Sequence, residues 1–147
     1  MEKNALQKQY WKELGAALFL YALAEVAKWW GRIEALKTYG TGFVAPLFFV
    51  LAVAFSIALP IFYRAWFANK VKHRKALSFA EYFAHEKKLL RMVLVTPYFL
   101  PVASIFQFPK FYYAGIVLLA MYSCYFYFPS QKRLTFERRL FRVEANP

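Results

Sequence analysis

Glu25 is chemically the most unusual residue, because it interrupts an otherwise apolar stretch near the start of the chain. An ionisable side chain inside a membrane-spanning helix costs roughly 2.5–3.5 kcal/mol on insertion scales, so it usually faces protein or water. Glu25 is therefore a candidate proton or cation site. The alternative, which the nearby interfacial Trp30 favours, is a structural pair with Lys28 one turn later, both side chains reaching toward the headgroups.

Two prolines in another apolar stretch form the second candidate. Pro97 and Pro101 each lack a backbone N–H, which leaves the carbonyls of Val93 and Pro97 without intrahelical partners. In lipid such carbonyls need partners from neighbouring helices, from Thr96, from Ser104 or from water. A broken helix lining a conduit would use them, and a simple kink is the favoured alternative. The conduit candidates are thus Glu25, Lys28, Thr96, Pro97, Pro101 and Ser104.

Glu81, His85 and Glu86 raise the question of a metal site, since residues four apart share a helix face. Only Glu81 and His85 share one, and a closed site needs about four ligands, so we expect a solvated surface and no metal or cofactor. The chain contains no Asp, no CxxC pair and no nucleotide-binding glycine loop. From these absences we expect that the protein is not an enzyme.

The elements that must position these residues are apolar stretches separated by basic segments. Of the 147 residues, 61% are hydrophobic and 22% are aromatic, which exceeds the usual apolar usage of about half. A soluble domain of this size could not bury so many aromatic side chains. The composition therefore predicts an all-α integral membrane bundle of four transmembrane helices, forming a single domain over residues 1–147.

The four predicted spans differ in their apolar character. The second is the clearest because residues 38–63 carry no charge, and its Pro60 is expected to kink the last turn. The first contains Glu25 and Lys28, and the third and fourth form a short antiparallel hairpin. The predicted spans cover residues 14–30, 43–66, 89–106 and 111–128.

The segments outside these spans are predicted to stay at the membrane surface. Residues 1–13 are expected to form an interfacial helix, and the basic tail, residues 129–147, to lie on the bilayer. The connection over residues 67–88 is a basic loop. Within it, Ser78 and Glu81 form a capping-box pattern, which predicts a helix that begins at Phe79 and continues into the third span.

The distribution of positive charge predicts the orientation. With four spans, the N-terminal segment, the central loop and the tail share one side of the membrane, and they hold sixteen of the twenty lysines and arginines. The positive-inside rule then places both termini in the cytoplasm. We expect an integral protein of a bacterial inner (plasma) membrane.

The formal net charge of +12 also bears on partners. Because the charges flank apolar stretches, anionic headgroups are more natural partners than a specific nucleic acid. The bilayer, through its anionic headgroups, and an anionic ligand are the expected partners of the basic face. Its predicted contact residues are Lys70, Lys72, Arg74, Lys75, Lys132, Arg133, Arg138 and Arg139.

Two phrases resemble known membrane families without matching their context. The phrase Ala24-Glu25-Val26 in a first helix is similar to small multidrug transporters, but the long basic loop departs from them. The tail phrase ERRLFRVEAN, residues 137–146, resembles the membrane glutathione and eicosanoid enzymes. In that family the phrase leads into the second helix, whereas here it follows the fourth predicted span, so neither family is assigned.

The functional hypothesis follows from these features. Four short helices leave little room for a pore within one copy, so the first expectation is a homo-oligomeric channel or pore. Its basic cytoplasmic face would receive an anionic ligand. The alternative is a non-catalytic accessory subunit of a larger respiratory, secretion or transport complex. Cys124, the one cysteine, is expected to be a packing residue.

Overall fold

The computed structural model describes residues 2–30, 42–73 and 77–143. Throughout these ranges the regular elements are helical, which confirms the predicted all-α class for the described residues. A π-helical turn, Ala54–Ala58, and a 3-10 turn, Thr96–Tyr98, interrupt two of the helices. The α-helices are α1 Glu2–Trp29, α2 Val44–Val53, α3 Leu59–Val71, α4 Phe79–Val93, α5 Phe99–Ile105, α6 Lys110–Phe126 and α7 Gln131–Leu140.

Two of the described helices are long and apolar enough to cross a membrane. They are the α2–α3 unit, Val44–Val71, and the α4–α5 unit, Phe79–Ile105. A third qualifies if α6 and α7, which are bent by 75° at their junction, count as one span. The structure is therefore compatible with a membrane protein, and the count of four spans stays a prediction.

Helix α1 runs antiparallel to α6. Near the start of α1, the Tyr10 hydroxyl donates to the carbonyl oxygen of Cys124, at 2.9 Å, toward the end of α6. Further along α1, the hydroxyls of Tyr21 and Tyr113 are 2.7 Å apart, and Tyr113 lies near the start of α6. The two contacts fix opposite directions for these helices.

The α4–α5 unit runs parallel to α1. The Tyr98 hydroxyl donates to the backbone carbonyl of Glu13 at 3.1 Å. Beyond it, the Ser104 hydroxyl donates to the Glu25 carboxylate. Both helices therefore advance in the same direction, with α1 packed chiefly along α5 and the 3-10 turn.

The α2–α3 unit runs in the opposite direction from α4. Its start meets the start of α6, where the Phe49 and Tyr112 rings are 5.9 Å apart. Its end meets α4, where the Phe67 and His85 rings stack at 3.8 Å. The start of α1, the end of α3, the start of α4 and α7 therefore lie together, and we call this the basic end.

The start of α1 differs from its prediction. A separate interfacial helix was expected before residue 14, but α1 is continuous over its 28 residues. Leu6 and Tyr10 belong to a buried cluster with Leu89 and Leu134. Because these apolar side chains pack against the bundle, the first three turns continue the helix instead of turning onto a surface.

The predicted loop over residues 67–88 is largely helical. Helix α3 continues to Val71 and α4 begins at Phe79, because Phe67 and Tyr82 pack with Leu77 in a buried cluster. The predicted start at Phe79 is confirmed. The capping box is wrong in one detail, since the Ser78 hydroxyl makes no capping hydrogen bond.

The prolines lie beside irregular turns or at helix starts, where each proline lacks the backbone N–H that would donate a hydrogen bond. The π-helical turn ends just before Pro60. Pro60 lacks a backbone N–H and its ring crowds a carbonyl of the preceding turn, so that turn is widened. Pro60 was predicted to kink the last turn of the span, and the irregular turn in the structure is Ala54–Ala58, which precedes Pro60. Pro97 and Pro101 each lie in the first turn of their own short element, where a helix has no need of the N–H.

Gly115 provides a test of the packing between α2 and α6. A Cβ at Gly115 would overlap the Phe49 ring, whereas a Cβ at Gly15 in α1 would meet nothing within 4 Å. We expect Gly115→Ala to destabilise the protein by about 1–3 kcal/mol, as overpacking does. Gly15→Ala should be neutral or stabilising by about 1 kcal/mol, since alanine favours a helix.

Unfolding by SDS titration, followed by circular dichroism, measures both variants under the same conditions. A Gly115→Ala protein as stable as Gly15→Ala would contradict the close contact of α2 with α6.

Candidate functional site

A small polar cluster lies where the end of α1 meets α5. Lys28 Nζ donates to Glu25 Oε1 at 2.9 Å, and the Ser104 hydroxyl donates to the same oxygen. The Glu25 side chain remains 40% exposed and that of Lys28 28% exposed. We call these three residues the α1 cluster. The contact between Lys28 and Glu25 is the one that the pairing alternative predicts, and Ser104 joins it from another helix.

The other conduit candidates are enclosed by the chain itself. Thr96 and Pro97 are buried, as are Pro101 and Ser104. The Thr96 hydroxyl has no hydrogen-bond partner, so it does not serve the carbonyls that the prolines leave free. A role for these residues in lining a conduit stays a prediction.

A larger polar cluster lies at the basic end. Arg133 in α7 donates from Nη2 to Glu86 Oε2 at 2.9 Å and from Nε to Glu137 Oε1 at 3.0 Å. Arg64 in α3 donates to the same Glu137 oxygen. We call these four residues the arginine network. It joins α3 and α4 to α7, which is far from both of them in sequence.

The carboxylates of the arginine network are buried, and the network is balanced in charge. The side chains of Glu86 and Glu137 are only 3% and 2% exposed, and two guanidinium groups face two carboxylates. Burial lowers the pKa of Arg133, while the Glu86 carboxylate acts in the opposite direction and stabilises the charged form. Glu86 Oε1 and Glu137 Oε2 have no hydrogen-bond partner.

The local sequence before and within α7 holds Arg133 in this position. Ser130 caps α7, because its hydroxyl accepts from the Arg133 backbone N–H at 3.3 Å. Arg133 Nη1 also donates to the Tyr127 carbonyl at 2.6 Å, and the guanidinium lies 5.2 Å from the centre of the Tyr127 ring. The spacing of Arg133 and Glu137 places both side chains on one face of α7.

His85 lies beside the arginine network in an aromatic stack. Its ring is 3.8 Å from the Phe67 ring and 4.8 Å from the Tyr63 ring. His85 is 2% exposed and neither ring nitrogen has a hydrogen-bond partner. The predicted solvated surface at His85 and Glu86 is therefore wrong, because both side chains lie on the buried face of α4.

The predicted anion contacts divide into several environments. Lys70, Lys72, Lys132 and Arg139 are exposed. Arg133 belongs to the arginine network, and Arg138 is half-buried with its guanidinium 5.3 Å from the Phe79 ring. The remaining two lie outside the described residues: Arg74 and Lys75.

Sequence patterns contained part of the signal for the residues that were missed. In α4 the buried residues Tyr82, Glu86, Leu89 and Val93 recur at helical spacing, which indicates a packed face. Glu86 is therefore on a buried stripe that the sequence displays. Its pairing with Arg133, 47 positions away, has no sequence signal.

Within residues 2–30, 42–73 and 77–143, no group of three or more His, Cys, Asp or Glu side chains could hold a metal ion. The charged groups of the arginine network at the basic end form ion pairs with one another. No protein-family model, no curated protein and no solved structure matches this chain. Its function is inferred from its own residues and their geometry.

Removal of Arg133 tests the arginine network. Arg133→Ala leaves the buried Glu86 carboxylate without its partner, and breaking a buried pair in this way costs about 3–5 kcal/mol. Lys132→Ala, at an exposed neighbouring position, is the matched control and should change stability by less than about 0.5 kcal/mol. SDS titration followed by circular dichroism compares them. Equal stability of the two variants would show that the network does not hold α7.

Proposed function

We propose that this chain is a four-span membrane protein whose termini both lie in the cytoplasm. Helix α1, with 28 residues, has a length of about 42 Å at 1.5 Å per residue, which is enough to cross a hydrocarbon core of about 30 Å. Helix α6, with 17 residues, reaches about 25 Å and so has the shortest length, about 17 residues, that is found for a spanning helix. Both pack beside the two strongly apolar units, which supports four spans.

The position of α7 supports an assignment to the cytoplasmic surface. It leaves α6 at an angle of 75° and carries four cationic side chains. Leu134 and Glu137 face the bundle, while Phe136 and Leu140 are exposed. A charged helix with exposed apolar residues is suited to the headgroup layer, and the positive-inside rule then directs the basic end to the cytoplasm.

The proposed role is a homo-oligomeric channel or pore, and the α1 cluster is the observation that carries it. Glu25 and Lys28 are only partly covered by their own chain. An ionisable pair that faces hydrocarbon is costly, so protein or water must cover its free side. A second copy packed beside α1 would supply both the cover and a polar path.

The outer face of α1 is suited to such an association. Phe19, Leu23 and Val26 are exposed on it, and Gly15 presents a surface without neighbours. Helices in membranes associate through close packing and polar contacts rather than through a hydrophobic driving force. The α1 cluster lies at the edge of this face, where a neighbouring copy would meet it. At the other end, the exposed lysines would attract the anionic ligand that gates the pore.

A second candidate, a non-catalytic accessory subunit of a larger membrane complex, is supported by a different observation. Thr96, Pro97 and Pro101 are buried, so the broken helix has its polar side turned inward. A conduit between copies would therefore not be lined by this polar side of the broken helix. Meanwhile Phe62 on α3 and Leu118 on α6 are exposed and offer apolar surface to unrelated chains.

Native mass spectrometry after gentle extraction, combined with ion flux from liposomes, tests the first proposal. We expect a symmetric homo-oligomer that conducts ions, and Glu25→Gln should lower cation flux severalfold because it removes the negative charge. Gln at this position can still accept from Ser104, so the fold should persist.

Glu13→Gln is the matched control, since Glu13 lies on the same helix and its carboxylate accepts from the Tyr98 hydroxyl, a bond that an amide can retain. It should leave the flux unchanged. A protein that co-purifies with unrelated chains and leaks no ions alone would contradict the pore and support the accessory role.

A further inference from the structure

A groove of about 600 Å³ lies between α3 and the end of α7. Its volume falls in the range of about 300–1,000 Å³ that is typical of ligand pockets. We call it the α3–α7 groove. Its lining residues are Arg64, Ala65, Ala68, Val71, Lys72, Leu140, Phe141 and Arg142.

The α3–α7 groove combines an apolar wall with cationic edges. Ala68 and Val71 come from α3 and Phe141 from the segment after α7, and none of them carries a polar side chain. Lys72 and Arg142 are both exposed at the groove. The groove is therefore complementary to a molecule with hydrocarbon on one side and a negative charge on the other.

The cationic side chains of the α3–α7 groove differ in whether a carboxylate already compensates their charge. Arg64 donates to Glu137, which is almost fully buried, so its charge is already compensated. Lys72 and Arg142 have no carboxylate among the residues that line the groove. An anionic group in the groove would therefore be attracted chiefly by these two side chains.

The backbone at Arg142 is held in an unusual conformation. Arg142 has φ of 50°, a left-handed value that costs a non-glycine residue free energy and persists only where the surroundings enforce it. Its carbonyl accepts from the Leu77 N–H at 3.2 Å, and its own backbone N–H donates to the carbonyl oxygen of Arg139 at 3.3 Å. Leu77 is buried, so the core holds the backbone that presents the Arg142 side chain.

We propose that the α3–α7 groove binds an anionic phospholipid, with the phosphate between Lys72 and Arg142. The glycerol and the upper methylenes would lie against Ala68, Val71 and Phe141, and the acyl chains would continue into the bilayer. Basic pockets between helices on the cytoplasmic side recognise anionic headgroups in this way. The inference rests on the proposed cytoplasmic position of the basic end, and it does not depend on pore formation.

The test measures lipid binding to the full chain in a neutral detergent. Native mass spectrometry with dioleoyl phosphatidylglycerol and dioleoyl phosphatidylcholine at equal concentration should show one preferred phosphatidylglycerol per chain. Lys72→Ala/Arg142→Ala should weaken that binding about 30-fold, the effect of two cationic contacts at a membrane surface.

The matched control also removes two positive charges, but from residues of α7 that lie outside the groove. Lys132 and Arg139 are exposed and line a different surface depression, so Lys132→Ala/Arg139→Ala should change phosphatidylglycerol binding less than threefold. An equal loss in both double variants would overturn the groove as a site, because it would indicate diffuse attraction to the whole basic end.

The variant Arg142→Gly distinguishes an effect on lipid binding from an effect on folding. Glycine adopts left-handed backbone without strain, so Arg142→Gly should keep the thermal stability of the protein while it weakens phosphatidylglycerol binding. Arg142→Lys should restore most of the binding. A lower stability of Arg142→Gly with unchanged binding would contradict the proposed role of this side chain.

The same titration identifies the source of the anion. Dihexanoyl phosphatidylglycerol should displace the bound lipid, whereas inorganic phosphate at the same concentration should not. Displacement by both to the same extent would overturn the lipid assignment in favour of a soluble anion. Loss of flux or of the homo-oligomer, with lipid binding retained, would refute the pore and leave this site in place.

Discussion

Arg133 makes the interaction on which the arrangement of the basic end depends. Its guanidinium donates to Glu86, Glu137 and the Tyr127 carbonyl, and so ties α7 to α4 and to the end of α6. Without Arg133, the buried Glu86 carboxylate would lose its cationic partner and Glu137 would keep only Arg64. An unpaired buried charge costs far more free energy than an intact buried pair contributes. With α7 fixed in this way, the segment after it can reach Leu77 and close the α3–α7 groove.

The second constraint is the separation of two kinds of surface. Large apolar side chains such as Phe19, Phe62 and Leu118 are exposed along the helices, while most lysines and arginines collect at the basic end. Water would not tolerate the first surface and hydrocarbon would not tolerate the second. A membrane beside an aqueous compartment satisfies both. It also places the partly exposed α1 cluster and the α3–α7 groove in different environments.

Local sequence patterns predicted the features that depend on neighbours in sequence. The apolar stretches predicted the helices, the Phe79 start was correct, and Glu25 and Lys28 make the contact that one alternative anticipated. The extension of α1 and α3 was missed because packing of Leu6 and Phe67 overrides the polar composition around them. The pairing of Arg133 with Glu86 was out of reach, since it joins residues 47 positions apart and no local pattern encodes that contact.

Orientation of the two ends is the measurement that tests the membrane account most directly. In a Cys124→Ser background, which removes the one native thiol, Lys87→Cys reports on the basic end and Lys110→Cys on the opposite end; both positions are exposed. A membrane-impermeant maleimide added to intact cells should label Lys110→Cys, and Lys87→Cys only after permeabilisation. Labelling of Lys87→Cys in intact cells, with Lys110→Cys protected, would contradict the proposed topology.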